Sequence, residues 1–431
     1  MKQKLFAVLC ALVMIISLLP SAGALSGEAR RAAETLNALG VVYGSSSGYE
    51  LDAIPSRAHA AAVIVRLAGL EDESRTQVAA PFTDTAAWAI GYATVAADKG
   101  WIPGTTETTF SPSTPVTAND FFTFLLRLLG YSDAAGDFTA TDAALFARRI
   151  GLATRDYIDG DFTRGDMFCA AADALTFRCK GSETTIIRQL LDRGAITYAQ
   201  ASSLGLLNPS LTARQAYDRC SAAVFQLDCW SRDVRDQIGE IPPTSNASGF
   251  FIDSTGLAVT NYHSIEGAIH ATATLVTGEV FPVEKILYYD ADIDIAILRI
   301  SHTAESGAVT SAFAWLEMGS QKEVRIGDVV YNISNPLGLG LAMSAGIVSD
   351  NERAVERYAL PCIMNTAPIS QGSSGGALLN EYGEVIAISS GAYVYGNEMY
   401  LSVPIDPAKT ANLDYLDHTL EQFLMELPFL D

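Results

Sequence analysis

Gln371-Gly372-Ser373-Ser374-Gly375-Gly376 sets a hydroxyl among glycines. A serine that attacks a carbonyl needs an exposed Oγ. It also needs its own N–H aligned with a neighbouring N–H, so that both bind the tetrahedral oxyanion. Glycines on either side permit the tight, partly left-handed backbone this demands. On that reading Ser374 is the nucleophile, and Gly372 and Ser374 supply the two N–H donors. A Gly/Ser cluster alone is more often a loop, so the reading depends on partners elsewhere in the chain.

Two segments offer them. Val259-Thr260-Asn261-Tyr262-His263 places a histidine just after a strand, and Asp292-Ile293-Asp294-Ile295-Ala296-Ile297-Leu298 puts an aspartate at the mouth of an apolar one. An ionised aspartate there is costly unless hydrogen-bonded, and an imidazole Nδ1–H is the partner a catalytic triad provides. Alone, Asp294 reads equally well as a turn residue. The chain has five histidines; His270 reads as structural within a strand, and His302 as surface after a strand end. The chain order His263, Asp294, Ser374 is one of the known triad orders. That chemistry needs no cofactor. No metal set is read either, since Asp159-Gly160-Asp161 lacks the other ligands of a calcium loop.

The elements around these residues are strands. From 216 onward, Ala222–Leu227, Gly249–Ile252, Leu257–Thr260, Ala271–Val276, Ile295–Ile300, Val329–Ile333, Leu341–Val348, Ala377–Leu379 and Val385–Ser389 are short, β-rich and parted by Gly, Asn, Asp or Pro. Such spacing indicates an all-β barrel or sandwich.

This half resembles the trypsin-like serine peptidases, and among them the HtrA/Deg group. The resemblance rests on Thr260-Asn261-Tyr262-His263, Asp294-Ile295-Ala296-Ile297-Leu298 and Gly372-Ser373-Ser374-Gly375-Gly376, with Ser373 where that group has Asn. Asn335-Pro336-Leu337-Gly338-Leu339 and Ser344-Ala345-Gly346-Ile347-Val348-Ser349 add to it. It implies two six-stranded β-barrels of the chymotrypsin type over 216–412, with the triad in the cleft between them. It also implies peptide-bond hydrolysis through an acyl-enzyme. Members of the group usually carry a PDZ domain after the protease, and none is expected in the short tail 413–431. The position six before the nucleophile, acidic in enzymes that cut after Lys or Arg, is Pro368. With Ser389-Ser390-Gly391 along the pocket wall, the expected P1 residue is apolar and small to medium in size.

The first half reads differently. Over 25–180 a helix, a Gly stop, a turn-rich loop and a capped second helix recur three times, at about 25–75, 80–133 and 134–180. Ser56, Thr117 and Thr163 start the second helices, with His59, Asp120 and Asp166 three residues on, where a capping box closes. Such repeats bury their apolar faces against one another. They resemble S-layer homology repeats, through Pro81-Phe82-Thr83-Asp84, Trp88-Ala89, Gly100-Trp101-Ile102-Pro103-Gly104 and Phe110-Ser111-Pro112. That resemblance implies a module binding an anionic cell-wall polymer, with Arg57 and Arg164 as the retained binding arginines and Ala118 in place of the middle one. Residues 181–215 read as a helical linker or cap. The chain is thus expected to be multidomain, all-α repeats before an all-β double barrel.

Composition bounds the partners. Hydrophobic residues make up 49% and charged residues 18%, which fits folded material rather than disorder. Twenty-eight basic against 49 acidic side chains leave a net charge of -21, which argues against nucleic acid or an anionic lipid surface. Lys2 and Lys4, the apolar run Leu5–Leu19 and Ala22-Gly23-Ala24 read as a signal peptide (1–24) cleaved after Ala24. An exported, extracellular or wall-associated protein is therefore expected, off the membrane once cleaved. Of the cysteines left after Cys10, Cys169 and Cys179 read as sharing one helix, and Cys220 and Cys229 as flanking one strand. Both spacings exceed the Cα separation a disulfide allows. Proteins or peptides are the expected substrates. A catalytically silent binding or adhesion module is the rival reading.

Overall fold

The computed structural model describes residues 22–76, 81–182, 184–207, 210–238, 240–393 and 396–426. The expected signal segment lies outside them except for Ala22-Gly23-Ala24. Those three residues open the first helix, α1 (Ala22–Ala38). Two compact units emerge, Met1–Tyr131 with Tyr157–Leu207, and Ser132–Asp156 with Asn208–Asp431. The stretch read as a third repeat is divided between them. No described helix is long and apolar enough to cross a membrane.

The first unit is helical: α1, α2 (Arg57–Leu67), α3 (Glu71–Thr76), α4 (Ile90–Asp98) and α5 (Ala118–Leu128), then, after the excursion, α7, α8 and α9. The excursion carries α6 (Ala143–Arg149), and the later three are α7 (Arg164–Ala174), α8 (Ile186–Asp192) and α9 (Tyr198–Ser203). Ser56, Thr117 and Thr163 each accept a hydrogen bond from the N–H three residues on, and the reciprocal bonds close all three capping boxes. Paired donors at a helix start satisfy two backbone groups that otherwise lack partners. The cap of α7 also explains Gly165. A Cβ there would lie 2.9 Å from Ala29 Cβ and 3.2 Å from Leu51 O, so α7 meets α1 only without a side chain at that position. Cys179 lies beyond the end of α7, so it does not share a helix with Cys169.

The second unit holds α6, α10 (Ala213–Cys220) and twelve strands. The first six are β1 (Val224–Ser231), β2 (Ser245–Phe251), β3 (Leu257–Thr260), β4 (Ala268–Thr274), β5 (Val280–Asp290) and β6 (Ile295–Ile300). They close as an antiparallel barrel in the order β1-β2-β3-β6-β5-β4. The next six are β7 (Val329–Ser334), β8 (Ala342–Arg353), β9 (Cys362–Asn365), β10 (Ala377–Leu379), β11 (Val385–Ala392) and β12 (Tyr400–Pro404). They close in the order β10-β11-β12-β9-β8-β7. The two six-stranded barrels expected from the sequence are present. Closure leaves no free strand edge.

Phe225, Phe251, Phe281 and Phe313 fill the first barrel, Phe251 stacking on Phe313 at 4.5 Å. A continuous apolar cluster runs from Val259, Ile295 and Ile297 of the first barrel to Ile333, Ala377 and Ile388 of the second. It fixes one barrel against the other. Within this unit α6 is held by Arg149, whose guanidinium forms a paired salt bridge with Glu279 at 2.5 and 3.0 Å. The chain end also folds back, as α13 (Leu420–Glu426), following the short α12 (Asp406–Lys409), sets Phe423 edge-on to Tyr289. Cys229 lies inside β1 rather than beyond it, and the five described cysteines are free thiols.

Candidate active site

β3 ends at Thr260, and the next turn, α11 (Tyr262–Ile265), carries His263. Asp294 sits at the entry to β6 with a φ of 60°, a left-handed conformation that costs energy for a residue with a side chain. Its surroundings compensate. His263 N–H donates to Asp294 Oδ1 at 3.0 Å, and His263 Nδ1 faces both carboxylate oxygens at 3.0 and 2.8 Å. Since a carboxylate only accepts, Nδ1 carries the proton in these contacts. Asp294 is 4% exposed. Burial pushes its carboxyl up, but the His263 and Ser390 hydrogen bonds and the His263 charge outweigh that and hold it below the usual carboxylate range.

Two further side chains brace this pair: Asn261, read in the sequence only as part of the histidine motif, and Ser390, read there as pocket wall rather than as a partner of Asp294. Asn261 is fully buried; its Nδ2 donates to Asp294 O at 2.9 Å, and its Oδ1 accepts from Gly375 N–H at 2.6 Å. One amide thus ties the histidine turn, the aspartate turn and the serine loop together. Ser390 Oγ donates to Asp294 Oδ2 at 2.5 Å. Tyr358 OH lies 3.0 Å from the same Oγ. Ser390 has already given its one proton to the carboxylate, so Tyr358 is the donor in that contact. The sequence marked Asn261 only by its place in the histidine motif, two residues before His263, and not by its partners.

The serine loop is fixed peptide by peptide. Gln371 O accepts from Leu337 N–H at 2.7 Å, Gly372 O from Ser248 Oγ at 2.8 Å, Ser373 O from Gly376 N–H at 2.9 Å and Ser374 O from Ser248 N–H at 2.7 Å. In a trans peptide the N–H points opposite to the carbonyl before it. Holding Gln371 O and Ser373 O therefore turns Gly372 N–H and Ser374 N–H the other way. Neither takes a hydrogen-bond partner among the described residues. Gly372 has a φ of 87°, and a Cβ there would lie 2.5 Å from Asn335 O, so no other residue fits. Ser374 remains partly exposed between buried neighbours.

The other expected site residues fall as follows. Pro368 is exposed and its carbonyl accepts from Ser344 Oγ. Ser389 is fully buried, with Oγ donating to Asn332 Oδ1 at 2.6 Å, so its hydroxyl faces the barrel rather than a pocket. A register shift between Ser389 and Gly391 makes Ser390 a bulge residue, which aims its hydroxyl at Asp294. Gly391 is part-exposed beside Tyr358. His270 lies in β4 against Trp230, with burial pushing its pKa down. His302 has both ring nitrogens within 2.9 Å of backbone carbonyls.

The helical unit has a cavity of its own, of about 320 Å³, lined among others by Tyr43, His59, Arg66, Trp88, Arg164 and Phe168. His59 stacks on Trp88 at 5.8 Å and lies 3.5 Å from Arg164 Nη1. Burial first, and the Arg164 charge second, push the His59 imidazole down. Arg57 does not line this cavity. It donates to Phe110 O and Pro103 O at 3.0 and 2.8 Å and holds the loop of the following repeat-like stretch.

The comparisons with known proteins concern the barrel unit. The chain is 31% identical over 179 residues to the putative serine protease HhoA of Synechocystis, covering 39% of this chain and 44% of that protein. It is 31% identical over 172 residues to chloroplastic Protease Do-like 1 of Arabidopsis thaliana, covering 38% of each. A probable periplasmic serine endoprotease, DegP-like, of Halomonas elongata is 33% identical over 168 residues, 38% of this chain and 34% of that one. The chain thus spans less than half the length of these relatives. Among solved structures, the HtrA-type protease AlgW with tripeptide aligns at 23% identity and a TM-score of 0.40, over 46% of this chain and 62% of that one. The family model described as the trypsin-like peptidase domain matches residues 247–388, a stretch that holds the histidine, aspartate and serine motifs, and this chain carries a trypsin-like serine peptidase domain there.

Proposed function

We propose that the protein is an exported serine endopeptidase that hydrolyses peptide bonds through an acyl-enzyme on Ser374. The single observation that supports this most is the serine loop, whose held Gln371 and Ser373 carbonyls leave Gly372 N–H and Ser374 N–H unpartnered on either side of the Ser373 peptide. On this reading His263 Nε2 takes the Ser374 proton as Oγ attacks the substrate carbonyl, and later gives it to the leaving amine. Asp294, held ionised, fixes the imidazole tautomer and stabilises its cationic form. Gly372 N–H and Ser374 N–H bind the oxyanion as it develops. The neutral turn at Pro368, with no carboxylate where Lys- and Arg-cutting enzymes have one, favours a small to medium apolar P1 residue. Export agrees with the amino-terminal sequence and with the periplasmic placing in the name of the Halomonas relative. A phosphonofluoridate probe tests the nucleophile. Its mass should be found on the tryptic peptide containing Ser374, and a folded protein that takes no label would favour the silent binding module instead.

The helical unit supports a second role. In a chain of net charge -21, a cavity that gathers Arg66, Arg164, His59 and three aromatic rings is suited to an anionic saccharide, the aromatic faces covering sugar rings. We read it as the seat of a cell-wall polymer bound by S-layer-type repeats, with Arg164 as the contacting arginine and Arg57 as a loop support. Purified walls should pellet the full-length protein, and Arg164→Ala should leave most of it in the supernatant. Equal pelleting of the two proteins would remove Arg164 from the role.

A further inference from the structure

The proposed oxyanion donors depend on a residue outside the triad, on a different barrel. Ser248 lies in β2, fully buried, and all its polar atoms are engaged. Its N–H holds Ser374 O, its carbonyl accepts from Thr260 Oγ1 at 2.7 Å, and its hydroxyl donates to Gly372 O while accepting from Asn335 N–H, each at 2.8 Å. The hydroxyl thus bridges the serine loop and the turn that starts at Asn335. That turn supplies Leu337 N–H, the donor that holds Gln371 O. Both segments it joins carry left-handed residues, Gly372 at 87° and Leu337 at 59°, and Leu337 is not a glycine. Such a conformation persists only where the surroundings over-determine it.

We propose that Ser248 is the positioning residue of the oxyanion site. One hydroxyl orients the Gly372–Ser373 peptide directly and the Gln371–Gly372 peptide through Asn335 and Leu337. Without it Gly372 O and Asn335 N–H, both buried, are left unsatisfied, and rotation of the loop peptides is the way to regain partners. Rotation of the Gln371–Gly372 peptide, freed as the turn at Asn335 and Leu337 loosens, turns Gly372 N–H out of the cleft. Substrate binding along the cleft is untouched, because the loss concerns charge that exists only in the transition state.

The proposal rests on the endopeptidase reading, and the experiment separates the two. The full-length protein, its Ser374→Ala form and its Ser248→Ala, Ser248→Cys and Ser248→Thr forms are compared on a quenched peptide. A peptide aldehyde, whose adduct places an oxyanion in the same site, is the second probe. Ser248→Ala should lower kcat about 10- to 100-fold, less than or equal to the loss of a direct donor. KM should change by less than about threefold, and aldehyde affinity should fall in step with kcat. Ser248→Cys, near serine in volume but a weak donor and acceptor, should behave alike with little change in Tm, which covers the case of Ser248→Ala failing to fold. Ser248→Thr, keeping the hydroxyl, should regain most of kcat. Wild-type kcat in Ser248→Cys, or a kcat loss without loss of aldehyde affinity, would overturn the proposal while leaving the endopeptidase reading intact. A wild type as inert as Ser374→Ala would overturn both.

Discussion

Asp294 concentrates the chemistry of the site in one side chain. It is 4% exposed, left-handed, and bonded by His263 N–H, His263 Nδ1 and Ser390 Oγ. Asp294→Asn keeps the shape but offers an NH₂ where Nδ1–H must be accepted, selecting the wrong imidazole tautomer. We expect kcat to fall about 10³- to 10⁴-fold with the fold retained, measured on peptide substrate beside a CD spectrum. The depressed carboxyl pKa also has a stability consequence. A folded pKa below the unfolded one contributes stability that is fully present above the unfolded value and is lost as pH falls through the folded one. Asp294→Asn should therefore flatten the acid limb of a Tm–pH curve and leave its neutral region parallel to wild type. The cysteines illustrate the opposite case. Burial pushes the Cys220, Cys229 and Cys362 thiols up to about 12, and thiolate is the reactive form. None of the three should react with a disulfide reagent until denaturant is added.

At the scale of elements, hydrogen bonds over short sequence distances were legible and those across the fold were not. The capping residues Ser56, Thr117 and Thr163 and the motifs around His263, Asp294 and Ser374 could be read because each requires particular side chains close together in the chain. Ser248 Oγ and Asn261 Oδ1 act on backbone atoms 124 and 114 positions away, and Tyr358 on a hydroxyl 32 positions away, and no local pattern marks those partners. The same reason covers Ser389 and Ser390, whose adjacency suggested one pocket wall. A bulge sends one hydroxyl into the second barrel and the other to Asp294. Strands β5, β9 and β12 escaped notice because β5 mixes Pro282, Glu284 and Lys285 into its run, while β9 follows Pro361 and β12 ends on Pro404. Helix α6 read as the start of a third repeat from its Gly151 stop. Its packing partner is the barrel unit, through Arg149, 2% exposed, and Glu279. Removing one partner of a buried ion pair leaves a charge uncompensated, so Arg149→Ala should destabilise the barrel unit by about 3 kcal/mol in urea unfolding. Thr163→Ala, which removes only a cap, should cost the helical unit about 1 kcal/mol.

The molecule as a whole joins a barrel unit, whose motifs and relatives point to serine-peptidase chemistry, to a helical unit with a cavity lined by two arginines and three aromatic rings. On the proposed reading, polymer binding through Arg164 should be salt-dependent, since exposed charges are screened over about 10 Å at 0.1 M salt. The division between the units was legible as a change from helix stops and caps to short strands. The exchange of Ser132–Asp156 between them was not, because it depends on which surface buries α6 rather than on whether a helix forms there. Hydrolysis by Ser374 is the central claim, and the most direct test is casein cleavage by the purified protein beside its Ser374→Ala form, matched for fold by CD. Cleavage by the first and none by the second is the predicted result. Equal cleavage by both, or none by either, would contradict the account.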